Sequence, residues 1–174
     1  MTKYAFTPTG RERKFGIDEI IVSKTDLKGR ITYGNDVFGR VASYAESEYL
    51  GAPHSILRHP DMPRCVFKLL WDSIESGKEI FAYVKNMAKG GDHYWVFAHV
   101  TPTFAADGRI VGYHSNRRKP SALQIEAVSG LYRTLLEIEQ RAADRKIGMA
   151  QSFEHLESVL KSKGVGYDEF IFAV

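Results

Sequence analysis

The first two-thirds of the chain places alternating runs on either side of a region of helical spacing. Glu19 to Ser23, with Ile20, Ile21 and Val22, reads as a strand. Asp26-Leu27-Lys28-Gly29 supplies a turn, and Arg30 to Tyr33 completes a hairpin. Val37, Phe38, Val41 and Tyr44 then fall on one side of a helix that Asn35 or Asp36 is placed to cap. Ser43 and Glu46 have the spacing of a capping box, and Gly51 can close that short helix. Pro53 to Pro63 is a proline-stiffened loop, after which Val66, Leu69, Leu70, Ser73 and Ile74 line a helix ended by Gly77. Glu79 to Ala88 and His93 to Phe104 alternate around Gly90-Gly91-Asp92, and Asp107-Gly108 turns into a last strand, Arg109 to Arg117. Two strands, short helices and three strands predict an α+β fold: a five-stranded antiparallel sheet with short helices on one face.

Pro120 breaks this pattern. From Ser121 to about Lys163 the spacing is helical, with one apolar stripe from Ile125 to Leu136 and a second from Phe153 to Leu160. The charged stretch Arg141 to Lys146 lies between them, where one helix can yield to another, and Tyr167 to Val174 reads as a short apolar tail. The chain thus divides into a flexible leader (1–16), a domain of ordinary size (17–119) and a C-terminal helical extension with its tail (120–174).

Composition narrows the function classes. Hydrophobic residues at 44% and charged residues at 26% are the balance of a chain that buries a core. Basic residues form only short clusters, such as Arg117-Arg118-Lys119, which read as solvated surface rather than the continuous stripe of a nucleic-acid binder. The single Cys65 excludes a disulfide framework, and the six histidines show no zinc-like spacing. No apolar run reaches the ~20 residues that cross a bilayer, so a cytoplasmic protein with no direct membrane insertion is expected. No nucleophile–base–orienter set is evident, so no enzymatic activity is expected.

Specific words within this order resemble the PAS domain of bacterial aerotaxis receptors. They are Gly51-Ala-Pro-His-Ser-Ile-Leu-Arg-His-Pro-Asp-Met-Pro63, Val84-Lys-Asn-Met-Ala-Lys-Gly-Gly-Asp-His-Tyr-Trp-Val96 and Gly112-Tyr-His-Ser-Asn-Arg117, with Asn35-Asp-Val-Phe38 matching the family's first helix. The resemblance covers about residues 20–136. It implies a PAS fold that binds FAD non-covalently between sheet and helices and reports redox state to the chemotaxis machinery. By residue, Asn35, Arg58, His59, Asp61, Trp71 and Asn86 match family positions associated with flavin binding or signalling, and His54 matches a further family histidine. The chain departs from the family at Glu79-Ile80-Phe81, where a Trp is frequent. Lacking an anchor and signalling module, it resembles a stand-alone form that acts on a membrane receptor in trans, with a homodimer as a further possibility.

The residues themselves leave alternatives open. Asn86 shares a strand face with Ile80, Ala82 and Val84, where an amide that donates and accepts suits a flavin ring edge or a neighbouring backbone group. Arg58 suits a phosphate or an ion pair with Asp61, and Asp61 is also placed to cap the following helix. His59 can approach the ring or simply pack, and Trp71 is a core aromatic or a pocket wall. The rival readings are a haem-binding PAS sensor with a histidine ligand such as His59, a cofactor-free dimerisation or docking module, and a flavoenzyme.

Overall fold

The computed structural model describes residues 6–174. Strands β1 (Ile21–Thr25) and β2 (Ile31–Gly34) form the first hairpin, followed by α1 (Asp36–Ala42), α2 (Glu46–Tyr49), a 3-10 turn (His54–Leu57) and α3 (Arg64–Glu75). Strands β3 (Ile80–Met87), β4 (His93–Phe104) and β5 (Ile110–Arg118) complete a sheet of order β2-β1-β5-β4-β3, antiparallel throughout. Helices α4 (Ala122–Arg141), α5 (Arg145–Lys163) and α6 (Tyr167–Ala173) end the chain. This is the α+β architecture the alternation predicts. The short helices lie over the inner face, where Ile21, Ile80, Ala82 and Val96 meet Phe38, Val41, Leu57 and Val66 in one core.

Local chemistry explains most boundaries, with some departures from expectation. Asn35 caps α1 by accepting from the Phe38 N–H. Ser43 does not start α2: it ends α1 in a left-handed conformation (φ 58°), and Glu48 instead reaches back to the Ala45 N–H. Asp61 is not the cap of α3, because Pro63 holds that position without a side-chain bond. The tail expected after Gly166 is helical, since Glu169 accepts from the Gly166 N–H at the start of α6.

The leader expected over 1–16 is in place well before residue 17. β5 ends at Arg118, opposite Phe97, so the first residues of β4 have no strand on that side. The chain from Thr9 to Arg13 fills the gap. The Arg13 N–H donates to the His93 carbonyl (2.7 Å), the His93 N–H to Arg11 (2.9 Å) and the Thr9 N–H to Gly91 (2.9 Å), while Phe15 is buried. Its first five residues lie outside the described part of the chain.

The two apolar stripes beyond Pro120 are buried within the same chain. Val128, Tyr132 and Leu135 of α4 and Leu156 of α5 are buried. Tyr132 stacks on Trp95 and donates to the Tyr83 carbonyl (2.7 Å), and α6 sets Phe172 against Phe81 and Phe97. The helical extension therefore covers the β3 edge, which would otherwise offer unpaired backbone groups.

Candidate cofactor pocket

The loop before α3 is pinned to both edges of the sheet. On one side the Gly51 N–H donates to Ile31 (2.7 Å) and the His54 N–H to Gly29 (2.8 Å). On the other, Arg58 forms a backbone bridge with Asn86 of β3. The loop and α3 thus arch over the inner face and enclose a cavity of about 480 Å³, within the range of small-molecule sites. Its floor is made possible by small inward residues: Ser23 pairs with Ser115, and Ala98 lies opposite Arg117. Its walls are apolar, with Trp71 edge-on to Tyr113 (5.5 Å between centroids) and Ile74 and Val100 alongside.

At the deep end lies Arg117, 4% exposed, with no carboxylate among its described partners. One Nη donates to Ser23 Oγ (2.8 Å) and to His54 Nε2 (2.7 Å), and the guanidinium lies over Phe38. The other Nη, and Ser115 Oγ two residues back along β5, are buried without a hydrogen-bond partner. Burial lowers the Arg117 pKa to about 10. Burial, reinforced by the Arg117 charge, also lowers His54 to about 3. His54 is therefore neutral at physiological pH. Because arginine only donates, Nε2 is the acceptor and the proton sits on Nδ1. A buried cation with an unsatisfied Nη beside an unsatisfied hydroxyl is costly for an empty apolar cavity, and it fits an acceptor-bearing ligand edge.

The predicted site residues divide. His54, Arg58, Trp71 and Asn86 line the cavity. Asn86, 4% exposed, faces inward opposite Tyr94, whose phenol pKa is raised by burial, with the Arg117 charge and the Asn86 side chain acting the other way. Arg58 is stacked over Phe67 at the mouth (4.4 Å), where Lys28, Arg64 and Lys68 add positive charge. Asn35, His59 and Asp61 lie outside the lining. The Asn35 side chain is occupied in tying β1 to α1, accepting from Val22 and Phe38 and donating to Ile20. His59, 2% exposed, points away from Arg58 and meets His93 edge-on, accepting from the Asp61 N–H at Nδ1. Burial, with Lys85 nearby, lowers its pKa to about 4. Asp61 pairs with Lys85 (2.6 Å). Cys65 is buried outside the lining, and burial pushes its thiol up to about 11.

Residues 31–117, half of the chain, match the PAS-fold family. This chain is a PAS protein. Its PAS region is 42% identical over 118 residues to the aerotaxis receptor of Escherichia coli (strain K12), covering 68% of this chain and 23% of the receptor. It is also 25% identical over 99 residues to a nitrogen fixation regulatory protein of Klebsiella pneumoniae, covering 57% of this chain and 20% of that protein. The matched segment thus spans less than a quarter of either relative. Among solved structures, the light state of the Aureochrome1 LOV blue-light photoreceptor superposes with a TM-score of 0.54 at 25% identity, covering 70% of this chain and 91% of that one. A PAS domain from Colwellia psychrerythraea gives 0.54 at 19% identity, covering 58% of this chain and 86% of that one, a likeness of fold alone. Among the described residues, no helix of this PAS protein is long and apolar enough to cross a membrane.

Proposed function

We propose that this PAS protein is a cytoplasmic redox sensor that binds FAD in the cavity and signals by contact with a chemotaxis-type membrane receptor in trans. The observation that carries the ligand reading is the deep end of the pocket: Arg117 with an unsatisfied buried Nη, beside an unsatisfied Ser115 hydroxyl. A flavin ring edge bears several acceptors and an N–H, so Arg117 and Ser115 would hold the acceptors while Asn86 both donates and accepts. Trp71 and Val100 supply flat apolar walls. The cationic mouth, with Arg58, Arg64, Lys68 and Lys28, suits the pyrophosphate of a dinucleotide. The kinship with the aerotaxis receptor points the same way.

When bound, the flavin supplies reversible one- or two-electron exchange. The protein's part is to hold the ring, exclude water and respond to its change of charge. Arg117 favours added negative charge at the ring edge. Its bonds to Ser23 and His54 connect that edge to β1 and to the loop over the pocket, two places where a shift reaches the surface.

A haem reading is less well supported. The His54 Nε2 is engaged by Arg117 and Ser23, the His59 ring lies outside the lining, and the His114 Nε2 bonds Asn116. Ligand-stripped protein titrated with FAD should quench flavin fluorescence to a one-to-one endpoint. Haemin binding with a Soret band, alongside indifference to FAD, would overturn the proposal.

A further inference from the structure

The C-terminal hairpin reaches the pocket as well as covering the sheet edge. Glu139 of α4, 3% exposed, enters between α3 and α5. One carboxylate oxygen accepts from the Cys65 N–H (2.9 Å) and from Ser152 Oγ of α5 (2.9 Å), and the other from Arg64 Nε (3.0 Å). It provides the α3 N-terminus with the cap that Pro63 cannot, from 74 residues away in sequence. Gly148 permits this approach, because a Cβ there would lie 2.7 Å from the Glu139 carbonyl. The next residue of α5, Met149, lines the pocket, as does Arg64 itself.

Arg64 is therefore shared between two neighbours. Its Nε is taken by a carboxylate fixed by two further donors. A guanidinium is a rigid planar fork, so this bond fixes its plane and leaves both Nη groups to serve the pocket mouth. We propose that Glu139 is a positioning residue that holds Arg64 ready for the phosphates of a bound flavin nucleotide, so that ligand binding and docking of the α4–α5 hairpin reinforce each other. The inference rests on the flavin reading above and adds an output to it. By reciprocity, whatever the hairpin contributes to phosphate affinity, the phosphate returns to hairpin docking. A ligand lacking phosphate gains nothing from Arg64 and should leave the hairpin indifferent.

The test uses the full chain, ligand-stripped, with FAD and riboflavin as probes. Glu139→Gln keeps an oxygen for Cys65 and Ser152 but removes the charge. It should weaken FAD about tenfold, the loss expected for one charge-assisted bond, and change riboflavin less than about twofold. Arg64→Met should show the same preference, and adding Glu139→Gln to it should cost FAD nothing more. In the wild type, FAD but not riboflavin should slow hydrogen exchange across α5. Equal losses for the two flavins, an additive double variant, or unchanged α5 exchange would reduce Glu139 to a helix cap and refute the coupling. Should Glu139→Gln not fold, Arg64→Met decides the matter, because FAD must then lose its hold on α5 exchange. A wild type that binds neither flavin refutes the flavin reading itself. One that binds both, with Glu139→Gln without effect, refutes only the coupling.

Discussion

Arg117→Met should separate what the pocket costs the fold from what it gives the ligand. Burial holds the guanidinium pKa near 10 against an ordinary 12.5, which corresponds to about 3 kcal/mol of disfavour for the charged form. Against this stand its hydrogen bonds to Ser23 and His54, each worth about 1.5 kcal/mol, the lower end for a bond from a charged group because both acceptors are neutral. These terms nearly cancel. Methionine keeps the apolar stem against Phe38, and His54 keeps its contact with Ser23. The ligand-free variant should therefore unfold in urea within about 1 kcal/mol of the wild type. FAD binding should behave differently. Losing the Nη that faces the ring edge removes one charge-assisted bond, so affinity measured by fluorescence titration should fall about 10- to 150-fold. The reasoning fails if the ligand-free variant loses about 3 kcal/mol or more while FAD affinity holds. Arg117 would then be a structural strut whose unsatisfied Nη has no ligand to serve.

Other perturbations follow from the same geometry. His54 takes up a proton near pH 6.5 when unfolded but only near 3 when folded, so the unfolded chain binds more protons between these values and stability falls as pH falls. His54 should account for about 2 kcal/mol of loss by pH 5 in urea unfolding, with His59, held near 4, adding a similar share, so His54→Gln should make the curve about half as steep; an equally steep His54→Gln curve would contradict this. Asn86→Ala should weaken FAD about 5- to 30-fold and shift the bound flavin's absorption maxima, whereas unchanged affinity and spectrum would place the amide outside the ring's contacts. Gly91 has φ 95°, and a Cβ there would meet the Thr7 carbonyl at 2.0 Å, so Gly91→Ala should expel the N-terminal strand. Trypsin should then cut at Arg11 and Arg13 much faster than in the wild type, and an unchanged digestion pattern would refute that packing.

The sheet was legible because each of its devices is local. Alternation marks β3, β4 and β5, and Gly90-Gly91 and Asp107-Gly108 mark the turns. The lining of the cavity was legible where a residue points along a readable period, as Asn86 and Trp71 do. Arg117 was hidden by its neighbours: in Arg117-Arg118-Lys119 it passes for solvated surface. The signal was its place two and four residues beyond Ser115 and Tyr113, on the strand face that those residues turn into the cavity. The loop histidines were harder, because a loop has no period to say which side faces the pocket. His54 turns in toward Arg117, whereas His59 turns out toward His93. Glu139 gave no sign at all. Its partners Arg64, Cys65 and Ser152 meet only once α4 and α5 have folded back, and a glutamate late in a helix otherwise reads as exposed.

The central claim is that the cavity between sheet and α3 is a flavin site, and the visible absorption spectrum of the purified protein tests it most directly. The account predicts paired flavin bands, acquired on isolation or after adding FAD, that bleach with dithionite, and FAD as the pigment released on denaturation. A protein that stays colourless with excess FAD, or that carries a Soret band instead, would contradict it.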